Sequence, residues 1–175
     1  MNVPNSITVA RVLLVPVFVA LSYHDSTTAA VWAFVVFLVA SVSDFVDGHL
    51  ARRSGTESRV GEFLDPLADK LLVGAALVVL VGTRTFPLWA AIVIAVREVA
   101  VQLLRIQIVQ KGGTLPASRA AKLKTMLQIL MVCWWLLPWD EINVGHWVWL
   151  GGVLATTLWS GYEYFARARQ ATEQT

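Results

Sequence analysis

Six apolar stretches constrain this chain more than any other feature. They cover residues 7–23, 29–47, 63–81, 86–109, 120–137 and 147–164. A helix needs about 20 mostly apolar residues to cross a bilayer. The first and third stretches reach that length by using their polar flanks. The connections are short, and no composition shift marks a second domain. The sequence therefore reads as an all-α integral membrane protein, with six transmembrane helices forming a single domain over residues 1–175. Composition supports lipid as the solvent. Hydrophobic residues make up 57% and charged residues 15%, against about 25% charged in soluble domains. A net charge of +2 is too small for a nucleic-acid surface, so nucleic acid is not an expected partner. The single cysteine, Cys133, leaves no intrachain disulfide to form. The first stretch starts close to Met1 without a basic leader, so it is expected to remain as the first span.

The basic residues alternate with these stretches. Arg52, Arg53 and Arg59 lie between the second and third. Lys111, Arg119, Lys122 and Lys124 lie between the fourth and fifth or just inside the fifth, and Arg167 and Arg169 follow the sixth. The opposite connections, 22–28, 82–85 and 138–146, hold one Lys or Arg between them, Arg84. Lys and Arg are retained on the cytoplasmic side, so both termini are expected in the cytoplasm. Tyr23, Phe86, Trp89, Trp135, Trp139, Trp147 and Trp149 cluster at the expected outer ends, where amphipathic rings favour the interface. Pro4 and Asn5 open the first helix, with Asn5 as a candidate cap, and Pro16 is a candidate kink.

Against this background, four carboxylates stand out, because ionisable groups at membrane depth are costly and default to a functional reading. Asp44 and Asp47 are spaced i, i+3 at the end of the second stretch. Asp65 and Asp69 are spaced i, i+4 at the start of the third. On helices both spacings place the pair on one face, and a short link makes the two helices antiparallel neighbours. Four converging anions raise one another's pKa unless cations intervene. One alternative is an interfacial charge network with Arg52, Arg53, Arg59 and Lys70. The other is divalent metal. The donors are all hard oxygens, which selects Mg²⁺ or Mn²⁺, with Ca²⁺ also open, over Zn²⁺. Such a site holds one ion or two, and magnesium's habit of completing its shell with phosphate implies a phosphate-bearing substrate. Gly48 lets a ligand approach the backbone, and Arg52 offers a planar fork to a diphosphate.

Together these residues read Asp44-x2-Asp47-Gly48-x2-Ala51-Arg52-x8-Gly61-x3-Asp65-x3-Asp69, eight specified positions over 26 residues. This resembles the signature of the CDP-alcohol phosphatidyltransferase family with every fixed position filled. The resemblance implies a membrane core of six helices and two divalent ions bridging the aspartates and the diphosphate of a CDP-alcohol. It implies that Asp69 is general base for the acceptor hydroxyl and that CMP is the leaving group. It places Gly48, Arg52 and Ser58 at the CDP moiety of CDP-diacylglycerol. Pro4 and Asn5, in the turn at residues 3–6, would abut the nucleotide, with Thr8 and Arg11 in support. It also implies a homodimer in a bacterial cytoplasmic membrane, with the active site facing the cytoplasm.

Within the family, residues 2–11, 64–70 and 122–125 are similar to the branch that accepts sn-glycerol 3-phosphate. Cardiolipin synthases, which accept phosphatidylglycerol, share much of residues 65–70, and an inositol-phosphate acceptor is a further alternative. A phosphorylated acceptor needs cations. Arg97 and Arg105 fall roughly on one face of the fourth stretch, and Arg119, Lys122 and Lys124 open the fifth. The competing readings are a positive-inside anchor for the last three and a structural pair with Glu98 for Arg97. A non-catalytic transporter with a carboxylate ion site is the alternative from another class. It would be expected to place its carboxylates at a broken helix near the bilayer midplane, not at helix ends.

Overall fold

The computed structural model describes the backbone of residues 3–54, 59–110 and 118–173, and the side chains of 10–43, 70–110 and 118–169. Six α-helices follow one another: α1 (Val3–Ser22), α2 (Thr27–Ser54), α3 (Arg59–Thr83), α4 (Leu88–Gln110), α5 (Arg119–Leu136) and α6 (Val144–Glu173). They match the six apolar stretches in order, and no strand occurs among the described residues. The helices outrun the stretches. α2 continues past Asp47 to Ser54, and α6 continues past Tyr164 to Glu173. Backbone hydrogen bonding does not stop where hydropathy falls, and Ala, Arg, Gln and Glu are good helix formers. α1 starts at Val3, which puts Pro4 in the first turn and Asn5 inside the helix, not at its cap. The helix runs on through Pro16.

Among the described residues no helix is both long and apolar enough to cross a membrane. Three charged residues interrupt α4 (Arg97, Glu98 and Arg105), and three interrupt α5 (Arg119, Lys122 and Lys124). The six expected spans are thus seen as six helices, not as six membrane crossings.

Contacts divide the chain into two compact units. The first comprises Met1–Phe86 with Val132–Asp140. Within it α1 packs against both α2 and α3, and α2 packs against α3. Ala33, Phe37 and Ala40 are fully buried at i, i+4, i+7 on α2, the spacing of one helix face. Phe37 meets Phe18 of α1 with ring centroids 5.6 Å apart. Small residues let backbones approach closely, and the buried Ala29, Ala30 and Ala76 serve that end. Gly82 lies close under Tyr23: a Cβ there would stand 2.7 Å from the Tyr23 hydroxyl, so the ring would have to shift. Ser26 caps α2, accepting from the Ala29 N–H at 3.1 Å.

The end of α3 is closed by an aromatic plug. Thr85 takes φ 52°, in the left-handed region, and the Phe86 N–H turns back to the Leu80 carbonyl at 3.3 Å. Trp135 Nε1 donates to the Arg84 carbonyl at 3.2 Å, and its ring meets Phe86 edge to face at 4.9 Å. Trp135 is 2% exposed. Trp135→Phe keeps an aromatic ring there and loses one hydrogen bond, about 1 kcal/mol. Trp135→Ala also opens a cavity and is expected to cost about 3–5 kcal/mol. Thermal unfolding of purified protein in detergent should therefore rank wild type above Phe and Phe well above Ala.

The second unit comprises Pro87–Met131 with Glu141–Thr175. α4 packs on α6, and buried Val101 and Tyr164 form a cluster flanked by Ile108 and Ala121. Ser118 caps α5 through the Ala121 N–H at 3.1 Å, and Asn143 caps α6 through the Gly145 N–H at 2.9 Å. Large apolar side chains remain uncovered in both units, among them Leu13, Val78, Val96, Val148 and Trp159, each more than 60% exposed.

Candidate functional site

The acidic motif lies on two helices of the first unit. α2 carries Asp44, Asp47, Gly48 and Arg52, and α3 carries Asp65 and Asp69. At about 100° and 1.5 Å per residue, Asp44 and Asp47 fall about 60° apart around α2 and about 4.5 Å apart along it. Asp65 and Asp69 fall about 40° and 6 Å apart on α3. Each pair therefore occupies one stripe of its helix. α2 and α3 are packing partners, and the chain between Ser54 and Arg59 can span at most about 18 Å. That tether keeps the end of α2 close to the start of α3. The side chains of all four aspartates, Gly48 and Arg52 lie outside the described residues, and Ser58 lies outside them altogether. So do the side chains of Pro4 and Asn5, although their backbone opens α1, which packs against both acidic helices. Among the described residues, no three His, Cys, Asp or Glu are grouped to hold a metal. The donor set that fits one is the quartet of carboxylates on α2 and α3. They are hard oxygens suited to Mg²⁺ or Mn²⁺.

Arg11 of α1 is 2% exposed. The sequence resemblance names it only as support for the nucleotide turn, and its burial marks it as a cation built into the first unit.

The basic residues of the second unit separate into two groups. Arg105, Arg119 and Lys122 are exposed. Lys124 is 3% exposed, and the Arg97 side chain 11%. Arg97 donates to Glu98 Oε1 at 3.0 Å and to Ser160 Oγ at 2.8 Å, and Lys124 Nζ bonds the same Glu98 oxygen. The Arg97 guanidinium carbon lies 5.9 Å from the centre of the Tyr164 ring, within cation–π range. Sequence depth alone does not separate the two groups. Glu98 was legible only as the neighbour of Arg97, because Lys124 lies a whole helix further on.

An all-helical protein with paired aspartates on two packed helices defines a narrow class, and comparison with known proteins identifies it. A family model for CDP-alcohol phosphatidyltransferase matches residues 1–159. The chain is 37% identical to the CDP-diacylglycerol–glycerol-3-phosphate 3-phosphatidyltransferase of Bacillus subtilis, covering 97% of this chain and 96% of that one. It is 40% identical to the Pseudomonas fluorescens protein of the same name, with 96% and 90% covered. The Escherichia coli protein of that name is 36% identical, with 96% and 95% covered. The chain belongs to the CDP-alcohol phosphatidyltransferase family.

Proposed function

We propose that the protein transfers the phosphatidyl group of CDP-diacylglycerol to sn-glycerol 3-phosphate, forming phosphatidylglycerophosphate and releasing CMP. The observation that carries this reading is nearly full-length similarity to relatives bearing that enzyme name. The complete acidic motif on α2 and α3 supports it. In this reading Asp69 accepts the proton of the acceptor hydroxyl. The acceptor oxygen forms a bond to the lipid-side phosphorus, the bond from that phosphorus to the CMP oxygen breaks, and the electron pair leaves with CMP. Asp44, Asp47, Asp65 and Asp69 would hold the divalent ions, two Mg²⁺ or Mn²⁺, which would supply neutralisation of the negative charge that develops during phosphoryl transfer. Gly48, Arg52 and Ser58 bind the CDP moiety, with Pro4 and Asn5 beside it. Arg105, Arg119 and Lys122 are the exposed cations suited to the acceptor phosphate, and Arg97 and Lys124 support them.

The same reading makes the chain one domain of a bacterial cytoplasmic membrane. Six helices cross the bilayer, both termini and the acidic motif face the cytoplasm, and the protein is a homodimer. The many large apolar side chains left exposed on both units support lipid as their solvent. The alternation of Lys and Arg between connections supports the orientation.

The test is CMP release by purified protein in detergent with CDP-diacylglycerol and Mg²⁺. Glycerol 3-phosphate, inositol phosphate and phosphatidylglycerol are offered separately. Release with glycerol 3-phosphate alone is the expected result. Release with another acceptor instead would reassign the substrate within the family, and no release with any of the three would contradict an enzyme of this kind.

A further inference from the structure

Glu98 lies on α4 in the second unit and joins charges on three helices. Its Oε1 receives Arg97 from α4 and Lys124 from α5, and Arg97 in turn donates to Ser160 on α6. Lys124 is almost wholly buried and the Arg97 side chain nearly so. Removing Glu98 is costly, because the buried Lys124 loses one counter-charge that no water replaces easily. The carboxylate therefore fixes where the first turns of α5 stand against α4. Those turns carry Arg119 and Lys122, both exposed, and α4 carries Arg105, also exposed.

We propose that Glu98 is a positioning residue for the acceptor substrate: its link to Lys124 sets the placement of Arg119 and Lys122, which meet the acceptor's phosphate. The inference rests on the proposed function above. Arg97 and Lys124 then act through Glu98 and not on the phosphate. Binding groups must be held in place by the residues packed behind them, so a shift of Arg119 and Lys122 lowers affinity for the acceptor's phosphate. A loosened α5 would weaken capture of the acceptor while leaving the α2–α3 motif intact, so the two substrates respond differently.

The experiment compares wild type with Glu98→Gln, Glu98→Asp, Lys124→Gln and the Glu98→Gln/Lys124→Gln double variant. CMP release is measured with each substrate varied separately. Glu98→Gln and Lys124→Gln should each raise the KM for glycerol 3-phosphate about tenfold and leave that for CDP-diacylglycerol within about twofold. The double variant should be no worse than Glu98→Gln alone, since that substitution already breaks the link to Lys124. Glu98→Asp, which keeps the charge, should recover part of the lost affinity. Equal rises in both KM values, a fall in kcat at unchanged KM, or additive effects in the double variant would overturn the proposal. If Glu98→Gln does not fold, Lys124→Gln decides alone, and an unchanged acceptor KM in that variant is a refutation. Wild-type protein assayed alongside keeps the two claims apart: no CMP release by wild type with glycerol 3-phosphate contradicts the proposed function itself, whereas an active wild type with unselective variants sinks only the role of Glu98.

Discussion

Asp69→Asn should abolish measurable turnover while the protein still folds and still takes up CDP-diacylglycerol. The substitution is nearly isosteric and, in the proposed mechanism, would remove the proton acceptor together with one anionic oxygen donor. General-base catalysis contributes about 10²–10⁴-fold, and weakening a shared metal site adds to that loss. A kcat reduced by at least about 10³-fold is the expected result, with nucleotide-lipid affinity changed far less. Rate and binding must be measured on the same preparation, with its unfolding temperature as the control for folding. Near-normal turnover would remove Asp69 from the proton-transfer role. Equal loss of rate and lipid binding would make it a binding residue only.

The second large effect concerns metal. Chelating divalent ions should bring CMP release to background, and excess Mg²⁺ or Mn²⁺ should restore it. The physical reason is charge density. Two pairs of carboxylates on adjacent helices, approached by an anionic diphosphate, repel one another unless cations stand between them. Hard oxygen donors favour Mg²⁺ or Mn²⁺. Turnover that survives exhaustive chelation would instead favour the alternative in which the aspartates pair with Arg52, Arg53, Arg59 and Lys70. The two outcomes are loss to background and no change, so modest residual activity does not confuse them.

The number and order of the helices were legible because each apolar stretch is long and separated by short polar connections. Their ends were less so. Hydropathy drops at Asp47, but α2 continues to Ser54, which puts Gly48 and Arg52 on the same continuous helix as the first aspartate pair. Asn5 looked like a cap and lies inside α1, because the helix already begins at Val3. Ser26, Ser118 and Asn143 do cap helices, yet polar residues in short connections give no sequence signal that separates a cap from an ordinary turn residue.

The helical setting of the acidic motif was legible, since i, i+3 and i, i+4 spacing is a local property that any helix converts into a shared face, whereas the convergence of its side chains lies outside the described residues. The roles of the basic residues were legible only in part. Arg97 was readable as a structural partner of Glu98, which it is, but Arg105, Arg119, Lys122 and Lys124 look alike in sequence, and only folding shows that Lys124 is buried against Glu98 while Lys122 is exposed. A contact between α4 and α5 depends on tertiary packing, which periodicity along one helix does not encode. The membrane reading shows the same limit. Overall composition points to lipid, but the charges within α4 and α5 keep those helices from qualifying as spans by apolarity. In the proposed membrane protein, pairs such as Glu98 with Lys124 are what reduce the cost of such charges.

Binding of Mn²⁺ to the full chain in detergent, followed by electron paramagnetic resonance, tests most directly whether α2 and α3 share one cation site. Wild type should take up about two ions per chain, displaced by Mg²⁺. Asp47→Asn on α2 and Asp65→Asn on α3 should each disturb the same spectrum, because both helices contribute ligands to it. A wild type that binds no Mn²⁺, or a bound signal indifferent to substitution on either helix, would contradict the shared site.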